Sequence, residues 1–88
     1  MKETVLTPSL TKLHWACRRG MLELDVLLGN FLNEVYTGLS DEDKQSFINL
    51  LSYGDPDLFS WLLGSQKPNE PHLIKITEAI RHHARSRI

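Results

Sequence analysis

The side chains that could do covalent chemistry are few and poorly placed for it. Cys17 and His14 lie three residues apart on a stretch that the surrounding pattern predicts to be helical, close enough to suggest a nucleophile with its base. Both lie beside the apolar stripe of Leu10 and Leu13, and no electropositive or orienting group is placed to activate the thiol, so Cys17 reads as a buried structural residue. His82 and His83 are adjacent. Successive helical residues point about 100° apart, so the two rings cannot face one ion, and a place at the end of a helix explains them without a metal. The chain has no glycine-rich nucleotide fingerprint, no phosphate-binding lysine loop and no His-Glu-x-x-His pair. It is expected to be no enzyme, to hold no metal and no cofactor of its own, and to act by binding another macromolecule.

The stretch best suited to such binding is Arg18-Arg19-Gly20-Met21-Leu22-Glu23-Leu24-Asp25. Gly20 is placed to stop one helix, and Glu23 and Asp25 favour the N-terminus of the next. That accounts for the glycine and the acids. It leaves unexplained a line of Leu22, Val26, Gly29 and Asn33, which helical geometry puts on the side away from the main apolar stripe. Gly29 within a helix costs about 1 kcal/mol relative to alanine, a cost usually tolerated for close approach or packing. Trp15, on the outer side of the preceding helix, flanks the same surface. Arg18, Arg19, Gly20, Met21, Leu22, Glu23, Val26 and Trp15 are therefore the candidate partner-binding residues, set against ordinary surface scatter.

The elements that must carry these residues are divided by glycine, proline and cap residues. Pro8 and Ser9 open a first helix to about Arg18. A second runs from about Leu22 to Tyr36, with Leu24, Leu27, Leu28, Phe31, Leu32 and Val35 on its apolar face. Ser40 with Asp43 resembles a capping box for a third helix that buries Phe47, Leu50 and Leu51 and ends at Gly54. Asp55 reads as the N-cap of a fourth, with Pro56 at its first position. That helix, with Leu58, Phe59, Trp61, Leu62 and Leu63, is apolar almost all round and should sit centrally. After a loop over 67–71, a last helix uses Leu73, Ile76, Ile80 and Ala84 and frays from Arg85. No segment alternates like a strand. The expected fold is all-α: a small five-helix bundle, a single domain over 1–88 with frayed ends at about 1–7 and 85–88.

An 88-residue chain buries only ~60–65% of the surface its unfolded form exposes, which leaves little room for a deep cavity. The formal net charge of −1 argues against a nucleic-acid partner, although Arg81 and Arg85 share a face of the last helix. A single cysteine permits no internal disulfide, and the sequence shows neither a signal-peptide apolar region nor a membrane-spanning run. A cytoplasmic monomer without membrane insertion is expected.

Arg19-Gly20-Met21-Leu22-Glu23 matches the Arg-Gly-x-x-Glu signature of the succinate dehydrogenase flavinylation factors. The Leu39-Ser40-Asp41-Glu42-Asp43-Lys44 run and the Asp55-Pro56-Asp57-Leu58-Phe59-x-Trp61-Leu62 segment agree in order and spacing. The chain thus resembles that family over roughly residues 10–81, and its bacterial form most closely. The resemblance implies a small five-helix assembly factor that binds the flavoprotein subunit of succinate dehydrogenase or fumarate reductase. It also implies that this factor promotes covalent attachment of FAD to a histidine of that subunit. The family's Arg, Gly and Glu fall on Arg19, Gly20 and Glu23. Some relatives carry an antitoxin label, so an antitoxin-type interaction protein is the alternative, with a small nucleic-acid-binding regulator behind it.

Overall fold

Hydroxyl caps start two of the helices where the sequence places them. Ser9 accepts the Lys12 amide at 3.2 Å and Ser40 accepts the Asp43 amide at 3.1 Å, each satisfying an otherwise orphaned first-turn donor. In the computed structural model, which describes residues 9–87, the helices are α1 (Leu10–Cys17), α2 (Leu22–Glu34), α3 (Asp41–Leu50), α4 (Asp55–Leu62) and α5 (Pro71–Ser86). There is no strand among the described residues, and none of their helices is long and apolar enough to cross a membrane. The expectations for residues 1–8 and Ile88 lie outside the described residues.

The longer helices α2 and α5 form the centre, with α1 against α2, α3 against α5, and α4 touching both. Leu24, Leu28 and Phe31 of α2 meet Phe47 and Leu50 of α3, Leu58 and Leu62 of α4, and Leu73, Ile76 and Ile80 of α5 in one buried cluster. The Phe31 and Phe47 rings lie 5.5 Å apart. Cys17 is buried, with its thiol directed at the Leu28 carbonyl at 3.9 Å, and burial pushes its pKa up to about 11. A thiol so shielded is a packing group.

Several expected boundaries or placements are corrected, among them the end of α3, which falls at Leu50 rather than Gly54. α2 ends at Glu34, two residues early, because the chain tightens into a 3-10 turn (Tyr36–Gly38) that seats the Tyr36 ring 5.5 Å from Phe47. The cap of α4 is Gly54, and Asp55 is its first residue, so the Asp55 carboxylate is free for other partners. α4 is peripheral: it buries Leu58 and Leu62 but leaves Phe59, and Leu63 just after it, exposed, since an eight-residue helix packed mainly on α2 and α5 has one face to cover. α5 continues past Arg85 to Ser86.

A distant arginine closes the C-terminal end of α4. Arg81 Nη1 on α5 donates to the carbonyls of Trp61, Leu62 and Gly64 at 3.1, 3.3 and 3.0 Å, satisfying the last turn of α4. A Cβ at Gly64 would lie 2.9 Å from the Ser60 carbonyl oxygen, so this tight ending requires glycine.

The last turn of α5 is pinned to α2 through Glu34. Its carboxylate accepts from Arg87 Nε at 2.9 Å and Nη2 at 2.7 Å, and meets His83 Nε2 at 2.9 Å. The Arg87 hydrogen bonds, followed by that of His83, hold the Glu34 pKa down at about 2 against an ordinary 4.5. A depressed carboxyl pKa stabilises the fold above the unfolded value, and that stability is lost as pH falls through the folded value. The thermal midpoint of the wild type should therefore exceed that of Glu34→Gln at neutral pH. The two curves should converge as pH drops from 4.5 towards about 2. Parallel curves across that window would show that ionisation of Glu34 contributes nothing to stability. Added salt should shrink the difference, because the pair is solvent-exposed.

Candidate partner-docking surface

Between α1 and α2 the backbone runs extended, with φ/ψ of −74°/126° at Arg18 and −101°/125° at Met21. Carboxylates hold this turn. The Arg19 amide donates to Asp25 Oδ1 and the Gly20 amide to Asp55 Oδ2 at 2.9 Å. The exposed Arg18 guanidinium lies 3.6 Å from Asp25.

Arg19 turns inward. Its side chain is only 13% exposed; Nη1 donates to the Tyr53 carbonyl at 3.2 Å and Nη2 to that of Leu51 at 2.6 Å, with Asp55 Oδ1 at 3.5 Å. It thus covers the C-terminal end of α3, where free carbonyls favour a cation. Arg19, expected on the partner-binding surface, thus supports the fold. Glu23 is exposed and makes no ion pair with any described residue; Asp55 pairs with the Arg19 guanidinium and Asp25 accepts the Arg19 amide. Gly20 does not adopt the left-handed conformation of a glycine helix stop. A Cβ there would meet Asp55 Oδ2 at 3.4 Å, an ordinary contact, so the fold tolerates a small side chain.

The surface beside this turn is apolar and open. Trp15, Leu22 and Val26 are 70%, 71% and 52% exposed. On one side of the Leu22–Val26 line lies a groove of about 510 Å³, walled by Glu23, Leu27 and Asn30 of α2, Leu63, and His83, Ala84 and Arg87 towards the end of α5. On the other, Trp15, His14, Arg18, Asp25 and Gly29 enclose a groove of about 330 Å³ between α1 and α2. A Cβ at Gly29 would meet nothing within 4 Å, so packing within the described chain does not explain that glycine.

Of the candidate residues, Trp15, Arg18, Gly20, Leu22, Glu23 and Val26 are exposed, Met21 is half-buried against the core, and Arg19 is inside. Sequence reasoning missed Asp25 and Asp55 as holders of the turn. It also missed the groove wall formed by Leu63, His83 and Arg87, for which the nearly all-round apolarity of α4 was a signal. Among the described residues, no cluster of three His, Cys, Asp or Glu could hold a metal. The surface offers apolar contact rimmed by charge, which suits recognition of a protein.

A family model described as flavinator of succinate dehydrogenase matches residues 11–84. The chain belongs to that family. Its relatives include the FAD assembly factor SdhE of Shewanella oneidensis, 47% identical over 86% of this chain and 93% of that protein. The FAD assembly factor SdhE of Photorhabdus laumondii is 43% identical over 86% of each chain. The solution structure of a UPF0350 protein superposes with a TM-score of 0.73 at 38% identity, covering 88% of this chain and 82% of that one. In this chain the Arg19-Gly20 pair and the Asp55 segment, far apart in sequence, meet in space.

Proposed function

We propose that this chain is an assembly factor that binds the flavoprotein subunit of succinate dehydrogenase, or of fumarate reductase, and promotes covalent attachment of FAD to a histidine of that subunit. The observation that carries this reading is the Trp15–Leu22–Val26 surface, exposed between two grooves and beside the Arg19-Gly20-x-x-Glu23 turn, in a chain of the flavinator family. Flavin attachment needs the flavin held at the acceptor histidine with its developing charge stabilised, so positioning matters most. A helper supplies this by binding one conformation of the flavoprotein more tightly than others, shifting its population, with no nucleophile of its own. FAD belongs to the partner in this scheme, and the complex forms in the cytoplasm.

Co-expression with the flavoprotein subunit, read as flavin fluorescence of the denatured subunit band, tests this. Leu22→Asp with Val26→Asp should lower flavinylation at least about tenfold, since charges at the centre of an apolar contact are left desolvated. Glu23→Ala should also lower it. Each exposed substitution should move stability by under ~0.5 kcal/mol. Wild-type flavinylation by the folded double variant would remove this surface from the mechanism.

A further inference from the structure

We infer that Asp55 is a positioning residue of the docking surface: from the first turn of α4 its carboxylate fixes the Arg18–Met21 turn so that Leu22 and Glu23 are presented in one arrangement. The inference rests on the proposed docking of the flavoprotein to this face.

The turn is anchored at its ends by Met21 against the core and by the Arg19 guanidinium, but its central amides depend on carboxylates. Its residues lie between two helices with extended backbone at both ends, and the two central amides, Arg19 and Gly20, have carboxylates as their acceptors. Asp25 is local, six residues on. Asp55 is 35 residues from Gly20 and therefore acts only in the folded chain. Both Asp55 oxygens are engaged, Oδ2 by the Gly20 amide at 2.9 Å and Oδ1 by Arg19 Nη1 at 3.5 Å. The side chain is 28% exposed, less than half the exposure of Leu22, so it sits behind the surface that a partner would touch. Gly54 takes the cap position of α4, which leaves Asp55 free to reach across. Arg19 remains held by the Leu51 and Tyr53 carbonyls without Asp55, but the Gly20 amide does not. Loss of the carboxylate loosens the turn at Gly20, and the freedom gained there must be surrendered again when a partner binds.

The test has two readouts on the full chain: hydrogen exchange of the Gly20 amide in the free protein, and affinity for purified flavoprotein subunit lacking covalent FAD. Asp55→Ala should speed Gly20 exchange and weaken binding about tenfold, the effect of one charge-assisted hydrogen bond. Asp55→Asn, whose carboxamide oxygen still accepts the Gly20 N–H, should keep most of both. Asp57→Ala, in the same helical turn, should change neither, which separates the effect from the helix dipole. Unchanged Gly20 exchange in Asp55→Ala would overturn the inference, as would faster exchange with undiminished affinity. Equal loss of affinity in the Ala and Asn variants, with Gly20 still protected, would mean that Asp55 touches the partner directly. Absence of binding by the wild type would overturn the docking reading itself, while Gly20 exchange would still decide whether the clamp exists.

Discussion

Arg19→Ala is expected to lower the unfolding free energy by about 2–3 kcal/mol, in the range for a charged hydrogen-bonding group removed from a shielded site. The carbonyls of Leu51 and Tyr53 lose their donor at the end of α3, and Asp55 loses its cation. For a domain of this size the loss should bring the thermal midpoint down by roughly 10 °C or more. Arg19→Lys should recover less than half of it, because a compact ammonium does not span two carbonyls as the planar guanidinium does. An unchanged melting curve for Arg19→Ala would show that the inward contacts carry no net energy. The outcome bears on any flavinylation assay: a loss of activity in Arg19→Ala must be compared with its melt, whereas Glu23 is exposed and reports on docking alone.

Leu28→Ala should cost about 2–5 kcal/mol, the transfer energy of the lost side chain plus a term for the cavity left behind. Leu28 has no exposed surface and lies on the central helix, where the residues around it cannot collapse without disturbing Phe31 and Leu24. At roughly 0.05–0.15 kcal/mol per residue, that is a large share of what a domain of this length possesses. Urea unfolding should show the midpoint falling with little change in slope. Leu22→Ala, six residues away on the same helix but exposed, is the matched control and should cost less than ~0.5 kcal/mol. Equal losses at the two positions would mean that burial on α2 is wrongly assigned.

What could be read in advance was local or periodic. The spacing of Leu24, Leu28 and Phe31 marks a buried helical face wherever the helix ends up, and all three are buried. Ser9 and Ser40 cap their helices because a hydroxyl and an amide three residues on need nothing further. Leu22, Val26 and Trp15 were legible as exposed by the same periodicity. Asp55 was misplaced as a cap because its partners lie 35 and 36 residues back, beyond any local pattern. Arg19 was placed at the surface for the same reason: its acceptors are 32 and 34 residues away, and an arginine in sequence carries no sign of which carbonyls it will meet. α4 was placed centrally because apolarity on every side normally means burial on every side. Here part of it remains open to solvent, with Leu63 on the wall of the larger groove.

The arginines that close α3 and α4 also bear on how the molecule opens. Two of the short helices are followed by carbonyls that a side chain from elsewhere satisfies, Arg19 at Leu51 and Tyr53 just after α3 and Arg81 at the end of α4. Helices of ten and eight residues lie below the length at which a helix persists alone in water. Detaching either end of the chain therefore strips a short helix of its closing donor as well as its packing. The ends of α3 and α4 are therefore coupled to distant parts of the chain, so opening there should involve more than one helix at a time.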